Sequence, residues 1–222
     1  MLVRTRRGHE NIEGQDNLAE NDTNLEVEVK FYLERPETIR QKLQTCATLV
    51  APKAFETNFR YEDKTHSLIR EGKLLRLRKD RECRLTFKSR SHEHQRQFKI
   101  HHELEVEISD FDTMQAILQQ LGFKVAQVYE KQRETFSLRD TLVCLDTMPY
   151  GDFLEIEGSE NNILKVAGLL GLAWEERILE NYLSLFDFLK KKIGLPFKDV
   201  TFENFKSHSI NMEPFLSLLR AG

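Results

Sequence analysis

Leu25-Glu26-Val27-Glu28-Val29-Lys30 alternates aliphatic and charged side chains without a break. In an extended strand successive side chains point to opposite faces. Glu26, Glu28 and Lys30 therefore share one face, roughly 7 Å from one to the next, and Leu25, Val27 and Val29 share the other. The same phrase returns as Leu104-Glu105-Val106-Glu107 and Leu154-Glu155-Ile156-Glu157. An antiparallel sheet over an ordinary core also has a dry face and a wet one, but its wet face mixes Thr, Ser, Lys and Glu. Paired glutamates written three times have a more specific cause.

Cationic strands supply the complement. In Leu74-Leu75-Arg76-Leu77-Arg78 the two arginines lie on one face and the leucines on the other. Leu85-Thr86-Phe87-Lys88 sets Thr86 and Lys88 together, and Lys131-Gln132-Arg133 repeats the alternation. If these strands close into one sheet with the charged faces inward, the interior holds carboxylates and cations while the aliphatic faces turn outward. The expectation is an α+β protein built on such an inside-out barrel.

Composition bounds the alternatives. The 222 residues are 40% hydrophobic and 31% charged, enough for one sheet-based domain with appended helices. With 33 Lys and Arg against 36 Asp and Glu, the net charge of −3 leaves no global basic field for nucleic acid or an anionic membrane. Cys46, Cys83 and Cys144 show no CxxC spacing and are odd in number, which reads as free thiols in a reducing compartment. No apolar run suits a signal peptide or a membrane span, so a cytoplasmic protein is expected.

Along the chain, residues 1–23 carry Arg4, Arg6, Arg7 and polar residues without periodicity and read as a flexible leader. The main domain is expected over 24–190. It opens with a strand at 25–33 and a helix that starts at Pro36 and places Ile39 and Leu43 on one face. Strands follow at 55–63, around Leu74–Arg78 and at 85–89, with Gly72 marking a turn. After a polar loop come a strand at 100–109 and a helix capped by Asp110 or Asp112, with Met114, Ile117, Leu118 and Leu121 at helical spacing and Gly122 at its end. Residues 104–108 repeat 25–29 at an offset of 79, and each copy precedes a helix, so an internal duplication with pseudo-twofold symmetry is expected. Further strands at 130–138, 142–146 and 153–158, helices at 162–170 and 181–193, and a partly helical extension over 191–222 complete the reading. Met212, Phe215, Leu216 and Leu219 give that extension an apolar stripe able to dock on the domain or on another subunit.

Confined carboxylates repel one another, and a hard divalent cation with oxygen preference relieves the repulsion. Arginine forks and lysine point charges suit phosphate oxygens. Together they describe a pocket for a metal-bound polyphosphate.

Glu26-Val27-Glu28-Val29-Lys30 resembles the Glu-x-Glu-x-Lys motif of the CYTH superfamily, the triphosphate tunnel metalloenzymes. The resemblance continues in order through Tyr61-Glu62-Asp63, Gly72, Leu75-Arg76-Leu77-Arg78, Leu85-Thr86-Phe87-Lys88, Glu103-Leu104-Glu105, Lys131-Gln132-Arg133, Leu145-Asp146 and Gly151-Asp152-Phe153-Leu154-Glu155-Ile156-Glu157. It implies a closed barrel of eight antiparallel strands with flanking helices and a cytoplasmic enzyme using Mg²⁺ or Mn²⁺. Metal ligands would come from Glu26, Glu28, Asp146, Glu155 and Glu157. Triphosphate would be held by Lys30, Arg76, Arg78, Lys88, Lys131 and Arg133. Glu28, Lys30 and Glu105 would serve catalysis, with Glu103 and Glu105 as further tunnel acids. Two departures bear on substrate choice: His101 stands where many members have arginine, and Asn181-Tyr182-Leu183 stands where some have lysine or serine.

Simpler readings are weaker. A solvated strand face with a cross-strand ion pair explains Glu26, Glu28 and Lys30 alone but not the companion motifs. His92, His94, His101 and His102 do not make a transition-metal site, because two sit in a polar loop and two are neighbours on opposite strand faces. The leading expectation is a metal-dependent phosphohydrolase acting on an inorganic or organic triphosphate. A class IV type adenylate cyclase is the second, and a non-catalytic polyphosphate or nucleotide binder the third. The expected partner is a small-molecule triphosphate, not nucleic acid or membrane, with a homodimer left open.

Overall fold

The computed structural model describes residues 24–91 and 97–221. The expected leader and His92 and His94 lie outside the described residues. From Leu25 the chain runs β1 (Leu25–Tyr32), α1 (Pro36–Cys46), β2 (Thr48–Glu62), α2 (Ser67–Arg70), β3 (Leu74–Lys79), β4 (Cys83–Arg90), β5 (Lys99–Ile108), α3 (Phe111–Gln120), β6 (Lys124–Leu138), β7 (Thr141–Met148), β8 (Gly151–Gly158) and α4 (Glu160–Leu170). A 3-10 turn (Trp174–Glu176) then leads to α5 (Tyr182–Ile193), α6 (Phe202–Phe205) and α7 (Glu213–Leu219).

Local chemistry sets the helix ends. Pro36 opens α1, and Asp110 caps α3 by accepting from the Thr113 amide at 3.0 Å. Asn181 caps α5 in the same way through Ser184, and Gly194 closes that helix with a left-handed φ of 73°.

The eight strands pair antiparallel in a closed ring, β1-β5-β4-β3-β2-β6-β7-β8. Exchanging β1 to β4 with β5 to β8 leaves that order unchanged, and α1 follows β1 as α3 follows β5. The duplication written in the repeated Leu-Glu-Val-Glu phrase is thus present in the topology.

The outward aliphatic faces are covered by helices on two sides. Val29, Phe31, Val143, Leu154 and Ile156 pack with Ile39 and Leu43 of α1 and with Ile163, Val166 and Leu170 of α4, all at most 9% exposed. Tyr61, Leu75 and Leu77 pack under Leu118 of α3. On β5 the outward Leu104 and Val106 remain more than half exposed.

Strand limits differ from the sequence expectation in two instructive places. The second strand begins at Thr48, not at 55, because register shifts between Leu49 and Ala51 and between Ala51 and Ala54 carry it past Pro52. Proline and broken alternation read as a loop, whereas bulges keep the pairing going. The sixth strand begins at Lys124 instead of 130, since Lys124-Val125-Ala126-Gln127-Val128 alternates poorly and crosses another shift opposite Arg60 and Tyr61.

The C-terminal stretch is part of the wall. Beyond Lys131, toward its start, β6 has no partner on the β7 side, and Val200 fills that edge: its amide donates to Val128 O at 2.8 Å and its carbonyl accepts from Glu130 N at 2.9 Å. Ile178 exchanges backbone bonds with Lys30 in the same manner on β1. Met212, Leu216 and Leu219 are buried with Leu185, Phe186 and Phe205, so the apolar stripe of the extension docks on its own domain.

Candidate functional site

Period-two geometry turns the charged faces of β1, β3 to β6 and β8, together with Glu56 and Arg60 of β2 and Leu142 and Cys144 of β7, into one cavity of about 780 Å³. Glu26, Glu28, Lys30, Arg76, Arg78, Lys88, Glu103, Glu105, Lys131, Arg133, Glu155 and Glu157 all line it. Twelve of the thirteen residues expected at the site are thereby brought together. Asp146 lies behind the lining, 1% exposed.

Glu28 and Glu157 stand opposite each other in the β1–β8 pairing, and Glu26 is the next inward residue of β1. One carboxylate oxygen from each of Glu26, Glu28 and Glu157 falls within 4.8 Å of the others. Burial pushes the Glu26 carboxyl up to about 8, against the pull of Lys88 and with the help of Glu28 and Glu103. Burial also raises Glu157. Burial acts on Glu28 in the same sense, but Lys99 and Lys30 outweigh it and hold the carboxyl at about 2. Lys88 bonds Glu26, and Lys99 bonds Glu28. The trio is an oxygen-rich set with an unrelieved proton on Glu26, which fits a hard divalent cation.

A second set lies deeper. Lys30 donates to Glu155 at 2.6 Å, and Arg133 bonds both Glu155 and Asp146, the latter at 2.7 Å through Nε. Asp146 also accepts from Lys131 at 3.1 Å and from the Tyr182 hydroxyl at 2.8 Å. Asp146 and Glu155, expected as metal ligands, do not join the carboxylate trio. Their oxygens hold the cations in place, and Lys30, Lys131 and Arg133 hold Glu155 well below the usual carboxylate range even though burial would raise it.

The arginines of β3 face this group. Arg76 donates to Tyr129 Oη at 3.2 Å and to Thr86 at 3.1 Å, with Glu105 at 3.6 Å and Glu103 at 3.9 Å. Thr86 in turn donates to Glu105 at 2.7 Å. The buried Nε of Arg76 and of Arg78 have no hydrogen-bond partner among the described residues. Donors buried without acceptors favour an incoming anion.

Several contributors were missed in the sequence. Glu56 is 3% exposed between Lys131 at 3.7 Å and Arg78 at 3.9 Å; burial would raise its carboxyl, but these cations hold it at about 2. It shares the phase of Glu26 on its strand, opposite Phe55, Thr57 and Phe59, so alternation alone could have found it. Lys99 fell one residue outside the expected strand. Tyr182, at the start of α5, places its ring 4.4 Å from Lys30 Nζ and 5.5 Å from Lys131 Nζ. Its local pattern does not signal that role, although the family resemblance had marked Asn181-Tyr182-Leu183 as a position bearing on substrate choice. His101 also faces the cavity, and burial with Lys99 and Lys88 nearby lowers it to about 4, so it is neutral at neutral pH.

The model of the CYTH domain matches residues 24–179. The chain belongs to the CYTH domain family. A Pyrococcus horikoshii protein of known structure is 28% identical, with 72% of this chain and 98% of that chain covered and a TM-score of 0.61. A conserved hypothetical protein from Pyrococcus furiosus is 27% identical over 72% of this chain and 99% of its own, with a TM-score of 0.60. A Vibrio parahaemolyticus protein proposed to be an adenylate cyclase shares the fold at 18% identity, 74% and 98% coverage and a TM-score of 0.66. The comparison with curated proteins gave no match. Tyr182, at the start of α5, lies three residues beyond the matched span. Among the described residues no helix is long and apolar enough to cross a membrane.

Proposed function

We propose that this CYTH protein hydrolyses the terminal phosphoanhydride of a triphosphate bound in the tunnel, with Mg²⁺ or Mn²⁺ as cofactor. The observation that carries the reading is the junction, in one cavity, of three carboxylates within 4.8 Å and a facing set of arginines and lysines with buried, unused donors. Glu26, Glu28 and Glu157 would hold the metal, which when bound supplies charge neutralisation and an activated water.

The chain's own residues do the rest. Arg76, Arg78 and Lys88 bind phosphate oxygens on one wall, and Lys30, Lys131 and Arg133 do so on the other. Asp146, Glu155 and Glu56 hold those cations in position, so that little reorganisation is needed as charge moves to the leaving oxygen. Glu105, bonded by the Thr86 hydroxyl and with its side chain 31% exposed, would take a proton from water as its oxygen bonds to the terminal phosphorus and the bridging bond breaks. Cytoplasmic location agrees with free thiols at Cys46, Cys83 and Cys144.

Purified protein with Mg²⁺ or Mn²⁺ should release orthophosphate from a panel of triphosphates. Glu28→Ala and Arg78→Ala should each abolish it. Product analysis with ATP separates the readings: cyclic AMP with pyrophosphate would replace hydrolysis by cyclisation, and tight binding without turnover under either ion would refute both.

A further inference from the structure

The carboxylate trio of Glu26, Glu28 and Glu157 is already countered from inside the chain. Lys99 opens β5 directly opposite Glu28 in the β1–β5 pairing, and its ammonium bonds the Glu28 carboxylate. Their side chains are 18% and 6% exposed, so little bulk water screens the pair. Lys88 does the same for Glu26 and also reaches Glu103 at 2.9 Å. Two ammonium groups thus sit against an oxygen cluster suited to one divalent ion.

The two lysines differ in what else holds them. Lys88 keeps Glu103 as a counter-ion when Glu26 turns to a metal. Lys99 has no second carboxylate within 4.0 Å among the described residues, and among them no other cation comes that near to Glu28. Lys30, the next inward residue of β1, is held by Glu155 at 2.6 Å and lies 4.4 Å from the Tyr182 ring.

The stem of Lys99 is anchored while its head can turn. Phe98 is 4% exposed and packs on Trp174 with ring centroids 5.5 Å apart, and Arg177 donates to the Gln97 carbonyl at 3.2 Å. These contacts fix the backbone just ahead of Lys99. Its flexible aliphatic stem then lets the ammonium swing from Glu28 to other oxygens in the cavity it lines.

We propose that Lys99 is a tethered counter-ion standing at Glu28 in place of the divalent metal: the metal displaces its ammonium, which then serves a phosphate oxygen. The proposal rests on reading the trio as a metal site. Ammonium and metal at contact distance from one carboxylate repel each other, so binding of one loosens the other. By linkage, an anion that draws Lys99 from Glu28 raises metal affinity by the factor with which the metal raises its own. Lys99 is thus a positioning residue that couples the two ligands.

Mn²⁺ calorimetry of the full chain at one pH should show roughly tenfold tighter binding in Lys99→Met than in the unmodified protein, because a charge-assisted bond no longer competes. Lys73→Met removes a lining cation that pairs with Glu71 and not with the trio. It should change the affinity about twofold or less, which separates displacement from a general field. If Lys99→Met does not fold, the unmodified protein still decides. Acetylation of its lysines by a small amine-reactive ester, read by peptide mass spectrometry, should be severalfold faster at Lys99 with saturating Mg²⁺ than in EDTA. Imidotriphosphate, a non-hydrolysable triphosphate, added with Mg²⁺ should slow Lys99 again, and Lys73 should not respond to Mg²⁺ alone. Weaker or unchanged Mn²⁺ binding in Lys99→Met, an equal gain in Lys73→Met, or Lys99 labelling indifferent to Mg²⁺ or to imidotriphosphate would overturn the proposal. Absence of Mn²⁺ binding to the unmodified protein would instead remove the metal site, and the part given to Lys99 with it.

Discussion

Metal binding should expel a proton, and Glu26 is the source. Its carboxyl is raised by burial to about 8, so it is mostly protonated at pH 7 in the metal-free protein. A divalent ion that takes Glu26, Glu28 and Glu157 as ligands must displace that proton. With a pKa of about 8 the apparent affinity falls roughly 50-fold from pH 8 to pH 6, or about 2.3 kcal/mol. Glu28, held at about 2, stays ionised throughout and adds no slope, whereas Glu157, also raised, adds in the same direction. Mn²⁺ titrations in two buffers of different ionisation enthalpy give the proton count directly. About one proton or more should leave at pH 7, and Glu26→Gln should remove about one of them. An affinity that does not change between pH 6 and 8, with no proton released, would refute the reasoning.

Stability offers an independent check with a definite sign. Because the folded pKa of Glu26 lies above the ordinary carboxyl value of 4.5, the folded state holds the extra proton between 4.5 and about 8, and stability falls as pH rises through that window. His101 acts oppositely: its folded value of about 4 lies below 6.5, so its contribution rises with pH between those limits. The two offset each other up to 6.5. Above it Glu26 acts alone of the pair, and the metal-free protein should lose roughly 2 kcal/mol between pH 6.5 and 8, which Mn²⁺ should restore.

Two further outcomes follow from the cation supports. Glu56→Gln strips Lys131 and Arg78 of a buried counter-ion and should cost about 3–5 kcal/mol in denaturant unfolding, partly recovered by added tripolyphosphate; an unchanged midpoint would contradict the role given to Glu56. Tyr182→Phe keeps the ring beneath Lys30 but removes the hydroxyl from Asp146, costing about 1–3 kcal/mol. The KM for tripolyphosphate should rise more than kcat falls, since the change loosens Lys131 and Arg133; loss confined to kcat would count against it.

Alternation fixed most of this protein in advance. A period of two assigns every residue of β1, β3, β5 and β8 to the interior or exterior face, and it does so without knowledge of neighbours. The inside-out character, the repeated half and twelve of the charged lining residues were therefore legible in the chain. What the pattern does not contain is which charge meets which, because that depends on register between strands distant in sequence: Lys99 reaches Glu28 across 71 residues, and Glu56 meets Lys131 only through the β2–β6 pairing. Tertiary structure alone sent Asp146 behind the lining, brought Tyr182 under Lys30 and left Arg60 facing Arg76. The physical reason is that strand geometry is local, while the electrostatic environment of a buried charge is the sum over every element folded around it.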